Sequence, residues 1–439
     1  MSAERVRAQL HKLASHPVTF LLAINVACAA LGLVQFAYTL TILKPADFAL
    51  IGVLAAIGGV VTGLLDVKLA DLTTSLYYAA PKENSRRRAD ILSSSLALHL
   101  AAGVVVALLV MAVSAIVAPR LLEQGADPWF VAAMALRMAV VFPNAALTTF
   151  LRLVGDFAIS GWLRLATQIA VTLITLACLV ASPDLGGFFA GVALAGAVSI
   201  GLAMVVAARV VSGALAHSIL TVPPGAMVRQ ILTEGRFLVG ASLVGLSKML
   251  SRSADTLLVA ALTNDTVTGY YRVARQAYDT MAGLSDAVHQ FYTPTIVDCI
   301  KREQWGEFRR HRWRLMAIGT AAAIGTVLAS WFVLRPLAAA HYPHYAPTLP
   351  AFEVFSGLLV VTLGIHGWLW PSLVAADTLK RFGLLGILGA LSQLAAIGLL
   401  VQFTILDATT AAMTAWIMAM VNYGPFLTER LGQRLRSSS

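Results

Sequence analysis

Charge is scarce in this sequence. Asp, Glu, Lys and Arg make up 12% of its 439 residues, about half the ~25% of an ordinary soluble domain. No stretch is long and polar enough to fold separately as a water-soluble unit of roughly 100 residues. Cysteine is scarcer still, with three residues. Cys28, Cys178 and Cys299 form no CxxC pair and lie in or near apolar stretches, which leaves neither a disulfide framework nor a zinc site. There is no Walker loop, no HExxH and no GxSxG elbow, so nothing in the sequence supports ATP hydrolysis or hydrolytic catalysis.

What the chain has instead is hydrophobic length, with 58% of its residues apolar. A helix rising about 1.5 Å per residue needs ~20 apolar residues to cross a ~30 Å hydrocarbon core, so twelve crossings take ~240 residues and leave room for short connections. Apolar runs between charged or Pro/Gly-bearing breaks predict helices over 18–43, 46–67, 90–118, 129–153, 160–182, 186–208, 237–262, 266–294, 315–334, 350–376, 382–405 and 408–427. The first run is too long for the ~7–15-residue core of a signal peptide and reads as a retained membrane helix. The expected class is an all-α polytopic membrane protein of about twelve transmembrane helices.

The basic excess, 32 Lys and Arg against 22 Asp and Glu, would point to nucleic acid in a soluble protein. Its distribution excludes that reading. With the N-terminus inside, the opposite side keeps only Lys44, Arg120 and Arg335, and five cations lie inside predicted helices, so 24 of the 32 fall on the cytoplasmic side. Arg86–Arg88 and Arg309–Arg310 are then topology signals and lipid-headgroup contacts. The expected location is a bacterial inner membrane with both termini cytoplasmic. Segments around Met227–Glu234 and 301–314 read as interfacial helices, and Trp129, Trp305 and Trp313 as interfacial anchors.

A shift of 220 residues superposes Val53 on Val273, Gly63 on Gly283, Leu64 on Leu284 and Asp66 on Asp286. Six helices per half place both halves in one orientation, a parallel pseudo-repeat about the membrane normal. The expected division is a six-helix lobe over 1–208, a cytoplasmic linker over 209–236 and a second six-helix lobe over 237–439.

Arg137, Lys248, Arg252, Asp255, Arg272, Arg275, Asp279 and Asp286 all lie within predicted spans. Facing lipid, each would cost about 2.5–3.5 kcal/mol at mid-helix, so they must face protein or water. Lys248, Arg252 and Asp255 follow one helical stripe, and Arg272, Arg275, Asp279, Asp286 and His289 another. Two readings remain open. The acids can lock the second half as buried ion pairs. Alternatively, five cations against three acids leave a positive surplus of two that suits an anionic ligand such as a pyrophosphate or acidic sugar. Asp255, Asp279 and Asp286 serve either as charge partners or as proton- or sodium-responsive groups. His99, His366, Gln168 and Gln393 read by default as interhelical hydrogen-bonding residues.

The segments LTILKPADFALIGVLAAIGGVVTGLLDVKLADLTTSLYY (40–78) and SRSADTLLVAALTNDTVTGYYRVARQAYDTMAGLSDAVHQFYTP (251–294) resemble the polysaccharide-type flippases of the multidrug/oligosaccharidyl-lipid/polysaccharide (MOP) exporter superfamily. Asp255, Gly269, Tyr270 and Pro294 occupy motif positions of that family, whereas Lys44-Pro45 and Ala49 replace its usual Gly-containing turn. The resemblance implies a V-shaped bundle of two six-helix lobes that moves a polyprenyl-pyrophosphate-linked glycan to the outer leaflet by alternating access. It implies no cofactor beyond proton or sodium coupling. The implied partners are the lipid-linked glycan, membrane lipid and glycan polymerase or assembly proteins. On that reading Arg137, Lys248, Arg252, Arg272 and Arg275 attract the headgroup. The competing readings are an ion-coupled multidrug exporter of the same superfamily and a membrane-embedded glycan polymerase, ligase or glycosyltransferase. Against the latter, the longest outer break, around 335–349, is short.

Overall fold

Helix follows helix because the apolar runs offer the backbone no other way to satisfy its polar groups in lipid. The computed structural model describes residues 17–65, 69–81, 83–123, 125–217, 219–220, 246, 249–375, 379–403 and 405–429, and among them every regular element is helical. The first half contains α1 (Pro17–Ile42), α2 (Pro45–Leu65), α3 (Leu69–Ala79), α4 (Ser85–Leu121), α5 (Pro128–Leu153), α6 (Phe157–Ala181) and α7 (Leu185–Leu215). In the second, a π turn (Leu250–Ala254) leads into α8 (Asp255–Leu262), followed by α9 (Asp265–Lys301). Next, α10 (Trp305–Ala329) passes through a π turn (Ser330–Leu334) into α11 (Arg335–His341). A 3-10 turn (Pro343–Tyr345) precedes α12 (Thr348–Gly357), and a third π turn (Val360–Ile365) separates α12 from α13 (His366–Ala375). Helices α14 (Leu379–Gln402) and α15 (Ala408–Glu429) complete the chain.

Short polar residues start these helices where the sequence changes character. The side chains of Asp127, Asp156, Asp184 and Asn264 accept the backbone N–H groups of Trp129, Ile159, Gly187 and Val267, filling donors that the first helical turn leaves open. Asp184, outside the spans, is held below the usual carboxylate range by the Gly187 N–H and then by Ser182.

Nine helices among the described residues are long and apolar enough to cross a membrane, fewer than the twelve expected. The difference has three sources. Residues 237–245 of the seventh predicted span lie outside the described residues, while α9 carries the charged stripe and α15 is rich in Ala and Thr. The chain is a multi-pass helical membrane protein. The 220-residue shift reappears in the element bounds: α2 and α9 start at 45 and 265, α4 and α10 at 85 and 305, and α5 and α12 at 128 and 348.

The described residues group into two compact units. The first takes those of 1–39, 64–115 and 127–242; the second takes 40–63, 116–126 and 243–439. Helix α2 therefore belongs almost wholly with the second half. In the first unit Leu92, Leu96, Phe150, Leu151, Ala207 and Val211 form the core between α4, α5 and α7. The second unit buries Val259, Tyr271, Phe355 and Ala411 in one cluster, and Phe308, Leu315, Trp368 and Phe382 in another.

Candidate functional site

Asn264 turns the chain between α8 and α9, so the two helices run side by side and Asp255 of α8 meets the face of α9 that carries Tyr271 and Arg275. Asp255 is fully buried. Its Oδ2 accepts the Tyr271 hydroxyl at 2.7 Å and Arg275 Nη1 at 3.2 Å, and its Oδ1 accepts the Thr256 N–H at 2.6 Å. A buried carboxylate is tolerated only when paired and hydrogen-bonded, and here it is both. Arg275, 5% exposed, also faces Asp279 Oδ1 at 3.4 Å through Nε. Its guanidinium lies 5.2 Å from the Phe355 ring centroid and 5.8 Å from that of Tyr278. Two carboxylates offset its charge.

Arg272 lies in a different setting. Half-buried one turn before Gln276, it donates from Nη2 to the Gln276 Oε1 at 2.7 Å, a neutral acceptor. Its stem crosses α2 at Gly52, where a Cβ would stand 2.7 Å from Arg272 Cγ. Shifting residue 52 by 220 gives 272, so the two residues are repeat mates in contact. The glycine on one helix makes room for the arginine on the other. Gly59 likewise admits the Ser253 hydroxyl, and Gly63 admits Met249.

The other predicted site residues are more scattered. Arg137 is exposed on α5 in the first unit. Lys248 and the side chains of Arg252, Asp286 and His289 lie outside the described residues. Among the described side chains of the second-half stripe, Arg272 and Arg275 are matched by Asp255 and Asp279. Among these four charges the cations do not outnumber the acids; Arg275 is ion-paired, whereas Arg272 bonds Gln276.

Sequence reasoning overlooked two features. Tyr271 is the third partner of Asp255, and its signal was its i−4 spacing from Arg275. Glu353, in the middle of α12, binds Arg335 through two parallel bonds of 3.0 and 3.1 Å and accepts the Ser330 hydroxyl at 2.9 Å. Arg335 also covers the Trp331 ring at 4.2 Å. The minor polar residues form ordinary hydrogen bonds. His99 Nδ1 contacts the Ser95 carbonyl at 2.7 Å and the Ser95 hydroxyl, which pairs with Thr73 on α3; Gln168 donates to Thr172 within α6. His366 Nδ1 lies 3.1 Å from the Tyr423 hydroxyl, linking α13 to α15.

No family model and no curated relative matches the chain. Solved structures do. An inward-facing multidrug resistance MATE family transporter of the MOP superfamily superposes with a TM-score of 0.71 at 13% identity, covering 96% of this chain and 98% of that one. The fold is that of the MOP superfamily transporters. A eukaryotic MATE transporter, AtDTX14, gives 0.65 at 11% identity, with 98% of each chain covered. The lipid II flippase MurJ in an inward closed conformation gives 0.66 at 13% identity, covering 94% of this chain and 89% of that one. The MOP fold is thus similar here to drug transporters and to a lipid flippase, and these neighbours are transporters rather than enzymes.

Proposed function

We propose that the protein is a flippase that carries a polyprenyl-pyrophosphate-linked oligosaccharide from the cytoplasmic to the outer leaflet by alternating access. The observation that carries this reading is Arg272: a half-buried arginine packed against Gly52 of α2, bonded to a neutral amide while its neighbour Arg275 holds the carboxylates. Such a group keeps its capacity for a diphosphate, which accepts charge-assisted, bidentate hydrogen bonds. Arg275 acts as a positioning residue that ties α8 to α9. Lys248, Arg252 and Arg137 are proposed to add positive charge along the route, and Asp279 and Asp286 to respond to protons or sodium. The likeness to a lipid II flippase supports a lipid-linked cargo.

A second reading, ion-coupled multidrug export, draws on the likeness to MATE transporters and on the ring-lined acid at Asp255, beside Tyr271, Tyr278 and Phe355. Reconstituted vesicles separate the two. A labelled polyprenyl-pyrophosphate glycan should flip in wild-type vesicles and at least roughly tenfold more slowly with Arg272→Ala, the loss expected when a hydrogen bond to a charged group disappears. Uptake of an organic cation with no glycan flipping would favour export instead.

A further inference from the structure

At the end of the α2/α9 pair that the charge count assigns to the outer side, the second unit contains two contacts between distant parts of the chain. Tyr345, in the turn after α11, is buried; its hydroxyl donates to the Leu43 carbonyl in the α1–α2 junction, and its ring meets Phe48 edge-on at 5.9 Å. Glu123, in the loop after α4, donates its backbone N–H to Oδ2 of Asp265 at 3.3 Å, at the α8–α9 junction. Asp265 is also buried. The 220-residue shift carries 123–125 onto 343–345 and 43–45 onto 263–265. The two contacts therefore join equivalent segments through different residues and different bonds, each half's loop closing on the other half's junction. Between them α9 abuts α2 directly, since a Cβ at Gly269 would run into the Pro45 carbonyl oxygen.

We propose that these reciprocal contacts are a two-armed latch that holds this end of the α2/α9 pair shut and must part before cargo can leave there. The arms are unequal. The Tyr345 arm combines a buried hydrogen bond with an aromatic contact to Phe48. The Asp265 arm offers a single long hydrogen bond to a carboxylate lying ahead of the span predicted from 266. Burial pushes that carboxyl up, Glu123 adds to the effect, and the Glu123 N–H opposes it. The charged group acting on Asp265 from the facing loop is Glu123; Lys44 and Asp47, joined at 2.8 Å from the Lys44 N–H, belong to the other arm. Parting the acid arm hydrates a carboxylate that the closed latch keeps from water, so this arm is the one to yield first.

The latch rests on the transport reading but not on the cargo, and its test has a readout for each. In a background with Cys28, Cys178 and Cys299 replaced, Ala49→Cys places a thiol on α2 just below the latch, at a fully buried position. Labelling of that thiol by a membrane-impermeant reagent added outside should rise several-fold with Tyr345→Ala and less with Asp265→Ala. Tyr345→Phe, which keeps the ring, should fall between wild type and Tyr345→Ala. Separately, a short reducible bis-thiol linker joining Leu43→Cys to Tyr345→Cys, or Glu123→Cys to Asp265→Cys, should stop glycan flipping until it is reduced. Labelling unchanged in all three variants, or full turnover with either bridge closed, overturns the latch. Changed labelling without glycan flipping would support the latch and reject the cargo reading alone.

Discussion

Helices α2 and α9 occupy equivalent places in the repeat and are built from opposite materials. Across 45–65 the one charged side chain is Asp47, whereas α9 carries Arg272, Arg275 and Asp279 at the positions of Gly52, Ala55 and Gly59. Asp255 likewise corresponds to Gln35, and Phe355 to Ala135. The backbone shows the same asymmetry. Among the described residues all three π turns lie in the second half, at positions where α1, α4 and α5 are regular. A duplicated scaffold thus keeps its helix bounds while concentrating polar chemistry and π turns, which are frequent at functional sites, on one copy. The other copy supplies the small residues that let the polar side chains in. Symmetry sets where the helices are, and the buried charges lie where the two copies differ.

Breaking the charged copy should have the largest effect. Asp255→Ala removes one of the two carboxylates that face Arg275 and the acceptor of the Tyr271 hydroxyl; removing one partner of a buried pair costs about 3–5 kcal/mol. Thermal unfolding in detergent should show that loss, while Gln35→Ala at the matching position stays within about 1 kcal/mol. An Asp255→Leu/Arg275→Leu double variant should recover much of the stability, because the partly uncompensated charge is gone. Next in size is Gly52→Leu, which drives a side chain into the Arg272 stem and should cost about 1–3 kcal/mol by overpacking. Its control is Gly201→Leu on α7, where a Cβ meets nothing within 4 Å and the same measurement should show almost no change.

The smallest effect expected is on pH. Because the folded-state pKa of Asp265 is raised, its contribution to stability is full below the unfolded-state value and lost as pH rises through the folded-state value. Wild-type unfolding should carry that component, and Asp265→Asn should remove it. Equal pH profiles for the two proteins would rule it out.

Much of this was legible in the sequence. The apolar runs and the 220-residue shift fixed most spans, since length and hydropathy dominate in lipid. Helix α3 is not legible because LADLTTSLYYA is too polar and short to read as a span, and it falls in a stretch that the charges mark as a cytoplasmic connection. The stripe Arg272, Arg275, Asp279 was readable from its spacing, but partner choice was not. Spacing on one helix cannot say that Asp255 and Tyr271 take Arg275 while Gln276 takes Arg272. Glu353 is hidden because it lies inside the span predicted over 350–376, while its partner Arg335 reads as an outer-side cation. The grouping of α2 with the second half left one trace, the 7- and 4-residue spacing of Gly52, Gly59 and Gly63, which becomes meaningful only once Arg272, Ser253 and Met249 are seen opposite.

The central claim is that one guanidinium at the Gly52–Arg272 contact reads an anionic headgroup, and moving it to the facing helix tests this directly. Binding of a soluble short-chain polyprenyl pyrophosphate should weaken at least roughly tenfold in Arg272→Gly. It should return substantially in the Gly52→Arg/Arg272→Gly double variant, where the same group re-enters from the repeat mate. Equal affinity in wild type and Arg272→Gly, with both proteins folded, would contradict the account.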